Sequence, residues 1–272
     1  MQKKVLVFDL DGTAITNDYV LTKELIDLCD QLRNRLDIII ATGRSVSDAF
    51  RYYQKLNLNN YIICYNGAYV WNPVNDHVKF CSYMENSENI LHYILDNYEV
   101  LEIENIIVSS GINTYVLNKE NEFMCDMMYD KNLPFKYVFR TFMTCLNKVH
   151  RIILSSKTDI MLIKKKIKSI DGMVDIFGWK GRDDIVDISM GNIDKFRAVK
   201  QLLSKKGISM KNVIAFGDGK NDISILKGAG IGVAMLNADS EVKGNADFIT
   251  QFDNQNNGVY KFIMENMDLF GE

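Results

Sequence analysis

The run Val5-Leu6-Val7-Phe8 leads straight into Asp9-Leu10-Asp11-Gly12-Thr13, and this junction constrains the fold more than any other stretch. An unbroken apolar, mostly β-forming run reads as a strand buried on both faces, as in the interior of a parallel sheet. It stops at two carboxylates, a glycine and a threonine. If strand geometry persists through them, Asp9 and Asp11 leave the same face, and like charges held that close need a cation or a shared proton. A divalent metal is the simplest remedy. Gly12 lets the backbone turn sharply at the carboxyl end of the strand, where open parallel sheets bind ligands. An EF-hand does not fit: it needs Asp or Asn and then Gly where this chain has Thr13 and Ala14, and it follows a helix rather than an apolar strand.

The pattern repeats downstream. Thr22 can cap a helix through Leu25, Ile26, Leu28, Cys29 and Leu32, whose spacing makes one apolar face. Asp37 to Ala41 is a second buried strand, ending in Thr42-Gly43-Arg44 before Ser45 opens a helix toward Leu56. Tyr61 to Tyr65 is a third, ending in Asn66-Gly67. Strands that each stop at a small or polar group, with helices between them, describe a parallel sheet with its site along one edge. The pattern then changes to a hairpin over 69–84, a helix over 87–97, antiparallel strands over 103–109 and 113–118, and a helix over 121–129. A strand over 149–154, a lysine-rich helix over 159–169 and strands over 173–177 and 185–189 follow. From Asp194 the parallel pattern resumes with a helix through Phe196, Val199, Leu202 and Leu203. The strand Val213 to Phe216 then runs into Gly217-Asp218-Gly219-Lys220-Asn221-Asp222, with short strands over 230–234 and 247–250 and a last helix over 258–269. The expected architecture is α/β: a three-layer, Rossmann-like parallel-sheet core made by 1–82 and 191–272, with an α+β cap domain inserted at 83–190.

At 272 residues the chain is long enough for two such domains, and a formal net charge of -3 argues against a general nucleic-acid binder. A small substrate is expected instead. Five cysteines, Cys29, Cys64, Cys81, Cys125 and Cys145, include no CxxC pair, which fits reduced thiols in a cytoplasm. No apolar run has the length of a signal peptide or membrane span, so neither a membrane nor a nucleic acid is an expected partner. Gly219-Lys220 lacks the Walker spacing, Gly228-x-Gly230-x-Gly232 precedes its strand rather than following it, and His77, His92 and His150 have no mutual metal spacing. Lys164, Lys165, Lys166 and Lys168 read as the solvated face of their helix.

Polar groups thus fall where strands end or helices begin, at Asp9/Asp11, Thr42, Lys195 and Asp218/Asn221/Asp222. With Asp9-x-Asp11-Gly12-Thr13, Ala41-Thr42-Gly43-Arg44, Asn66-Gly67-Ala68, Gly217-Asp218-Gly219-x-Asn221-Asp222 and Ala234-Met235-x-Asn237-Ala238 in that order, the chain resembles the haloacid dehalogenase superfamily. The resemblance is to its Cof-like phosphatases, with the cap between the second and third motifs, and it spans essentially the whole chain. It implies a Mg²⁺-dependent phosphomonoester hydrolase in which Asp9 attacks phosphorus and carries an aspartyl-phosphate while Asp11 serves as acid and then base. The metal ligands it implies are the Asp9 carboxylate, the Asp11 backbone carbonyl and Asp218, with Asp222 in or near the shell. Thr42, the Gly43 N–H and Lys195 would hold the phosphoryl oxygens, and Asn221 would orient the phosphate or Lys195. The implied substrate is a small phosphorylated metabolite, with a sugar phosphate the expected member. The cap segment Gly178 to Asp183 offers Trp179, Lys180 and Arg182 as specificity groups, and Arg44 and Asn237 are further candidates from the core. Leu236 stands where the motif often has glycine, and Ile225-Leu226 where it often has Met-Leu. A phosphomutase of the same superfamily and a non-catalytic phosphometabolite sensor are the alternatives.

Overall fold

The structure is a computed structural model that describes residues 3–117, 135–179 and 182–270. The chain opens with β1 (Val5–Phe8), α1 (Lys23–Leu32), β2 (Asp37–Ala41), α2 (Val46–Lys55), β3 (Ile62–Cys64), β4 (Tyr69–Asn72) and β5 (His77–Cys81). It goes on through α3 (Ser87–Asp96), β6 (Ile103–Ser110), β7 (Asn113–Val116), β8 (Phe135–Tyr137), α4 (Arg140–Met143), β9 (Val149–Ser156), α5 (Ile160–Ile170), β10 (Val174–Trp179) and β11 (Arg182–Met190). It returns through α6 (Lys195–Ser204), β12 (Val213–Gly217), α7 (Ile223–Gly228), β13 (Ile231–Ala234), α8 (Ser240–Lys243), β14 (Phe248–Ile249) and α9 (Gly258–Glu265). Backbone packing divides it into one unit of Met1–Arg44, Ala49–Cys81 and Ile193–Glu272 and another of Ser45–Asp48 and Ser82–Asn192.

The first unit is built on an eight-stranded sheet in the order β14-β13-β12-β1-β2-β3-β4-β5. Every pair from β14 to β3 is parallel, and the hairpin β4–β5 adds two antiparallel strands at one edge. Strand alternation explains the layers. Val5, Val7, Ile39, Ala41, Val213 and Ala215 turn to one side and pack on Ala198, Val199 and Leu202 of α6 and Ile225 and Leu226 of α7. On the other side Phe216 meets Phe262 of α9 edge to face, with ring centroids 5.5 Å apart. Fully burying each Val, Ile or Leu contributes about 1.5–3 kcal/mol, which is why the central strands carry almost no polar residue before their ends.

The second unit holds a separate six-stranded sheet, order β10-β11-β9-β6-β7-β8, antiparallel except where β7 meets β8. Ile106, Val108, Ile152, Leu154, Val186 and Ile188 face Ile90, Leu91 and Ile94 of α3 and Ile163 and Ile167 of α5. Ile107, Val116, Ile153 and Ile185 gather on the opposite face. The sequence pattern misses β8 and α4, each of four residues or fewer and too short to show a period. The helix expected over 121–129, and Cys125 within it, lie outside the described residues. Leu162, on the same helix as the buried Ile163 and Ile167, is exposed. Among the described residues, no helix is long and apolar enough to cross a membrane.

One local expectation is corrected. Strand geometry does not run through Asp9 to Asp11: β1 ends at Phe8, and Leu10–Ala14 form a wide helical turn in which Gly12 takes φ 68° and ψ 0°. The ladder ends before either carboxylate, so strand alternation does not place the two on one face, and the left-handed glycine turns the chain just after Asp11.

Candidate active site

The register of the core sheet decides which groups meet. Phe8 lies opposite both Ile40 and Phe216, and Gly217 lies opposite Ala234, so β1, β2, β12 and β13 all end along one line. Asp9, Thr42 and Asp218 come just past those ends. Asp194 caps α6 by accepting a hydrogen bond from the Arg197 N–H at 2.8 Å, and that cap makes Lys195 the first residue of the helix.

Lys195 is 1% exposed, and its Nζ donates to Asp9 Oδ1 at 2.8 Å and to Asp222 Oδ1 at 2.6 Å. An ammonium this deep is tolerated only when paired and hydrogen-bonded. Burial works against its charge, but Asp222 and Asp9 outweigh burial and raise its pKa, so it stays protonated. The other oxygen of Asp222 accepts from the N–H groups of Asp218, at 3.2 Å, and Gly219, at 3.0 Å, which shapes the loop after β12. Thr13 Oγ1 donates to Asp218 Oδ1 at 2.9 Å.

Asp9, Asp218 and Asp222 each offer an oxygen within 4.8 Å of the others. With all three ionised against one ammonium, the cluster carries two uncompensated negative charges, and the carboxyl groups respond accordingly. Burial pushes Asp9 up; Lys195 pulls it back, but Asp222 and Asp11 add to the rise, and it settles at about 8. Burial, opposed by the Thr13 hydroxyl and reinforced by Asp222, lifts Asp218 to about 6. A divalent cation matches both the charge deficit and the hard oxygen donors. Gly12 lets the turn approach the Asp218 carboxylate closely, since a Cβ there would lie 2.1 Å from Asp218 Oδ2.

The turn after β2 is tied down from several sides. Thr42 is fully buried, its N–H donates to the Ile63 carbonyl at 2.9 Å, and its hydroxyl oxygen accepts from the Arg44 N–H at 3.2 Å, leaving the hydroxyl proton to give. Asn66 donates its N–H to the Thr42 carbonyl at 2.9 Å and sits in the left-handed region at φ 55°. Its side-chain oxygen accepts from Asn221 Nδ2 at 2.9 Å, so Asn221 reaches across to the Thr42 turn. The motif reading assigns no role to Asn66 or Thr13; the Asn66-Gly67 dipeptide, a left-handed turn signal, is the clue to the first.

Asp11 is set apart from the other carboxylates. Its two oxygens accept from Arg44, Oδ2 from Nε at 2.7 Å and Oδ1 from Nη2 at 2.6 Å. Asn237 Nδ2 donates to the Gly12 carbonyl at 2.8 Å while its oxygen accepts from the Asn254 N–H at 3.2 Å, which clamps the turn carrying Asp11. Trp179 and Arg182 belong to the second unit, where they pair across β10 and β11, and Arg182 forks onto Asp184 through two hydrogen bonds of 2.8 Å. Lys180 lies outside the described residues.

The geometry is accompanied by clear likenesses. The family model for haloacid dehalogenase-like hydrolases matches residues 6–263. Pyridoxal phosphate phosphatase YbhA of Escherichia coli is 28% identical, the match covering 98% of this chain and all of that protein. The 5-amino-6-(5-phospho-D-ribitylamino)uracil phosphatase YitU of Bacillus subtilis is 24% identical over 97% of this chain and 98% of its own. The fold also superposes on the crystal structure of a haloacid dehalogenase-like hydrolase from Bacteroides thetaiotaomicron with a TM-score of 0.83, at 22% identity and covering 97% of this chain and 99% of that one.

Proposed function

The chain belongs to the haloacid dehalogenase-like hydrolases, and from that premise we propose that it is a Mg²⁺-dependent phosphatase of small phosphorylated metabolites whose nucleophile is Asp9. The observation that carries this reading is the buried Asp9–Lys195–Asp222 chain, with an Asp218 oxygen within 4.8 Å of both carboxylates. A charge arrangement this costly to bury has little structural purpose, whereas it suits a site that must receive a metal and a phosphoryl dianion together.

Asp9 and Asp218 are the side chains proposed to hold Mg²⁺, with the Asp11 carbonyl beside them and Asp222 anchoring Lys195 and the Asp218 loop. When bound, Mg²⁺ would offset the charge of nucleophile and phosphoryl group. An oxygen of Asp9 attacks phosphorus as the bond to the leaving oxygen breaks and Asp11 gives that oxygen a proton. Water then attacks the aspartyl-phosphate, Asp11 takes its proton, and the Asp9 carboxylate departs from phosphorus. Thr42, the Gly43 N–H and Lys195 supply donors for the transferring oxygens, and Asn221, held by Asn66, braces the turn that carries the first two.

The relatives YbhA and YitU are named for pyridoxal phosphate and for a phosphoribitylamino-uracil. Both compounds are phosphate esters of a primary alcohol on a polar body, and the sugar phosphates expected from the sequence belong to the same chemical class. We take a primary-alcohol phosphomonoester as the substrate. Phosphate release with Mg²⁺ across sugar phosphates, pyridoxal phosphate, flavin mononucleotide and nucleotides tests it. Turnover of one or more such esters is expected, and Asp9→Asn should keep the fold while abolishing release. Rapid release by a verified Asp9→Asn sample refutes the covalent route. Transfer of the phosphoryl group to a second sugar hydroxyl, with no free phosphate, would mark a mutase instead.

A further inference from the structure

Arg44 has a setting that neither metal nor phosphate binding explains. Its guanidinium presents two parallel N–H groups to the two oxygens of Asp11, and its side chain is 11% exposed while that of Asp11 is 47% exposed. The carboxylate is therefore open to solvent and ligand, while the cation gripping it is enclosed. Two rings pack against it. Arg44 Cζ lies 5.2 Å from the centroid of Tyr19 and 5.3 Å from that of Tyr52, within range of attraction between a cation and an aromatic face.

The rings are themselves held. Tyr52 is 1% exposed, its hydroxyl donates to the Tyr19 carbonyl at 3.0 Å, and it accepts from Arg51 Nη2 at 2.9 Å. Tyr19 adopts φ 59°, a left-handed conformation that a residue with a bulky side chain takes only when its surroundings hold it there. The whole set, Tyr19, Arg44, Arg51 and Tyr52, lies in the core unit with Asp11.

We propose that Arg44 is a positioning residue for the acid–base carboxylate: packed against Tyr19 and Tyr52, it fixes both side-chain torsions of Asp11 through a planar two-point contact. A carboxyl group at an exposed turn would otherwise sample several rotamers, and proton transfer needs a donor within hydrogen-bond reach of the leaving oxygen. A lysine carries the same charge but lacks the fork, so the proposal concerns shape rather than charge. It rests on the reading of Asp11 as the general acid and base.

The test is kcat/KM, which reports the first transfer, for 4-nitrophenyl phosphate and for the best alkyl ester of the panel, in wild type, Arg44→Ala, Arg44→Lys, Asp11→Asn and the Arg44→Ala/Asp11→Asn double variant. A nitrophenolate leaves without help, whereas an alkoxide needs the proton. Arg44→Ala is expected to lower the alkyl-ester value by roughly 10- to 100-fold, with a loss at least about fivefold smaller for the aryl ester. Arg44→Lys should share that signature, and the double variant should lose no more than about twofold beyond Asp11→Asn alone. Equal losses for both esters, full rescue by lysine, or the same factor lost again in the Asp11→Asn background would each overturn the proposal. If Asp11→Asn itself affects both esters equally, the acid–base reading fails first and the inference falls with it. Melting temperatures accompany each measurement, and Arg44→Lys carries the comparison should Arg44→Ala fail to fold.

Discussion

Removing the metal should leave a cluster that holds protons in its place, which makes Mg²⁺ affinity a direct probe of the geometry. In the metal-free protein Asp9 titrates at about 8 and Asp218 at about 6, while Lys195 is shifted upward and stays charged throughout. Between pH of about 6 and about 8, a metal binding through Asp9 must displace one proton, so the association constant should rise about tenfold per pH unit, roughly a hundredfold across the window. Below about 6 Asp218 is protonated too and the slope should approach two; above about 8 it should flatten. The same shifts set the stability of the metal-free protein. A carboxyl group whose folded pKa lies above its unfolded value favours folding most when protonated, so that contribution is complete below the unfolded value of 3.8 and is lost as pH rises through about 8. The metal-free melting temperature should therefore fall with pH over this range, and saturating Mg²⁺ should remove much of the fall. Calorimetric titration at several pH values, in two buffers of different ionisation enthalpy, counts the displaced protons directly. With Asp9→Asn the slope between about 6 and about 8 should vanish, while that of Asp218 persists below. An affinity independent of pH from 6 to 8 in the unmutated protein would show that Asp9 is not a protonated ligand, and the charge reasoning would be wrong.

Other perturbations follow from the same contacts. Gly12→Ala places a Cβ 2.1 Å from Asp218 Oδ2 at a φ of +68°, so it should weaken Mg²⁺ binding at least about tenfold, beyond the roughly 1–2 kcal/mol cost of the left-handed backbone, as read by metal titration and thermal melting. Lys195→Met leaves Asp9 and Asp222 buried without their cation, and should cost about 3–5 kcal/mol of stability in a denaturant titration near neutral pH, shrinking as the solution is acidified. Trp179→Ala and Arg182→Ala, if these residues contribute to substrate choice as proposed from the sequence, should lower kcat/KM for the preferred metabolite while sparing a minimal aryl phosphate. Indifference of both substrates would reassign them to the hairpin alone.

The parallel core was legible because its strands are buried on both faces, and such strands must read as unbroken apolar runs that stop where polar groups are wanted. The helices were legible where period and cap agreed, as at Thr22 with Leu25, Leu28 and Leu32. What one-dimensional pattern could not show is which stopping points meet. Lys195 and Asp9 are 186 positions apart, and only the lateral order of the strands brings them to 2.8 Å. The fork between Arg44 and Asp11 was hidden for another reason: it joins the turns after two neighbouring strands, and nothing in either turn's own spacing records the other. The orientation of Asp11 was hidden because the strand ends at Phe8, before either carboxylate, and strand periodicity does not apply beyond it. Asn66 was marked as part of a strand-ending motif but given no role, because its importance lies in a backbone conformation as much as in its amide.

The position of β1 between β2 and β12 has a consequence for biosynthesis. One neighbour is translated almost at once, the other only after the inserted unit has been made, and Thr13 must wait for Asp218, 205 positions later. At about 5–20 residues per second, the nascent chain spends roughly 10–40 s with one edge of β1 unpaired. Over that interval the ribosome-bound amino-terminal segment presents a template for strand pairing with other chains, and a trigger-type chaperone or rapid folding of the inserted unit would be of greatest use then. β12 and the carboxylates just beyond it supply both the missing partner of β1 and the last members of the charge cluster, so the nascent enzyme should acquire metal affinity and lose that open edge in the same step.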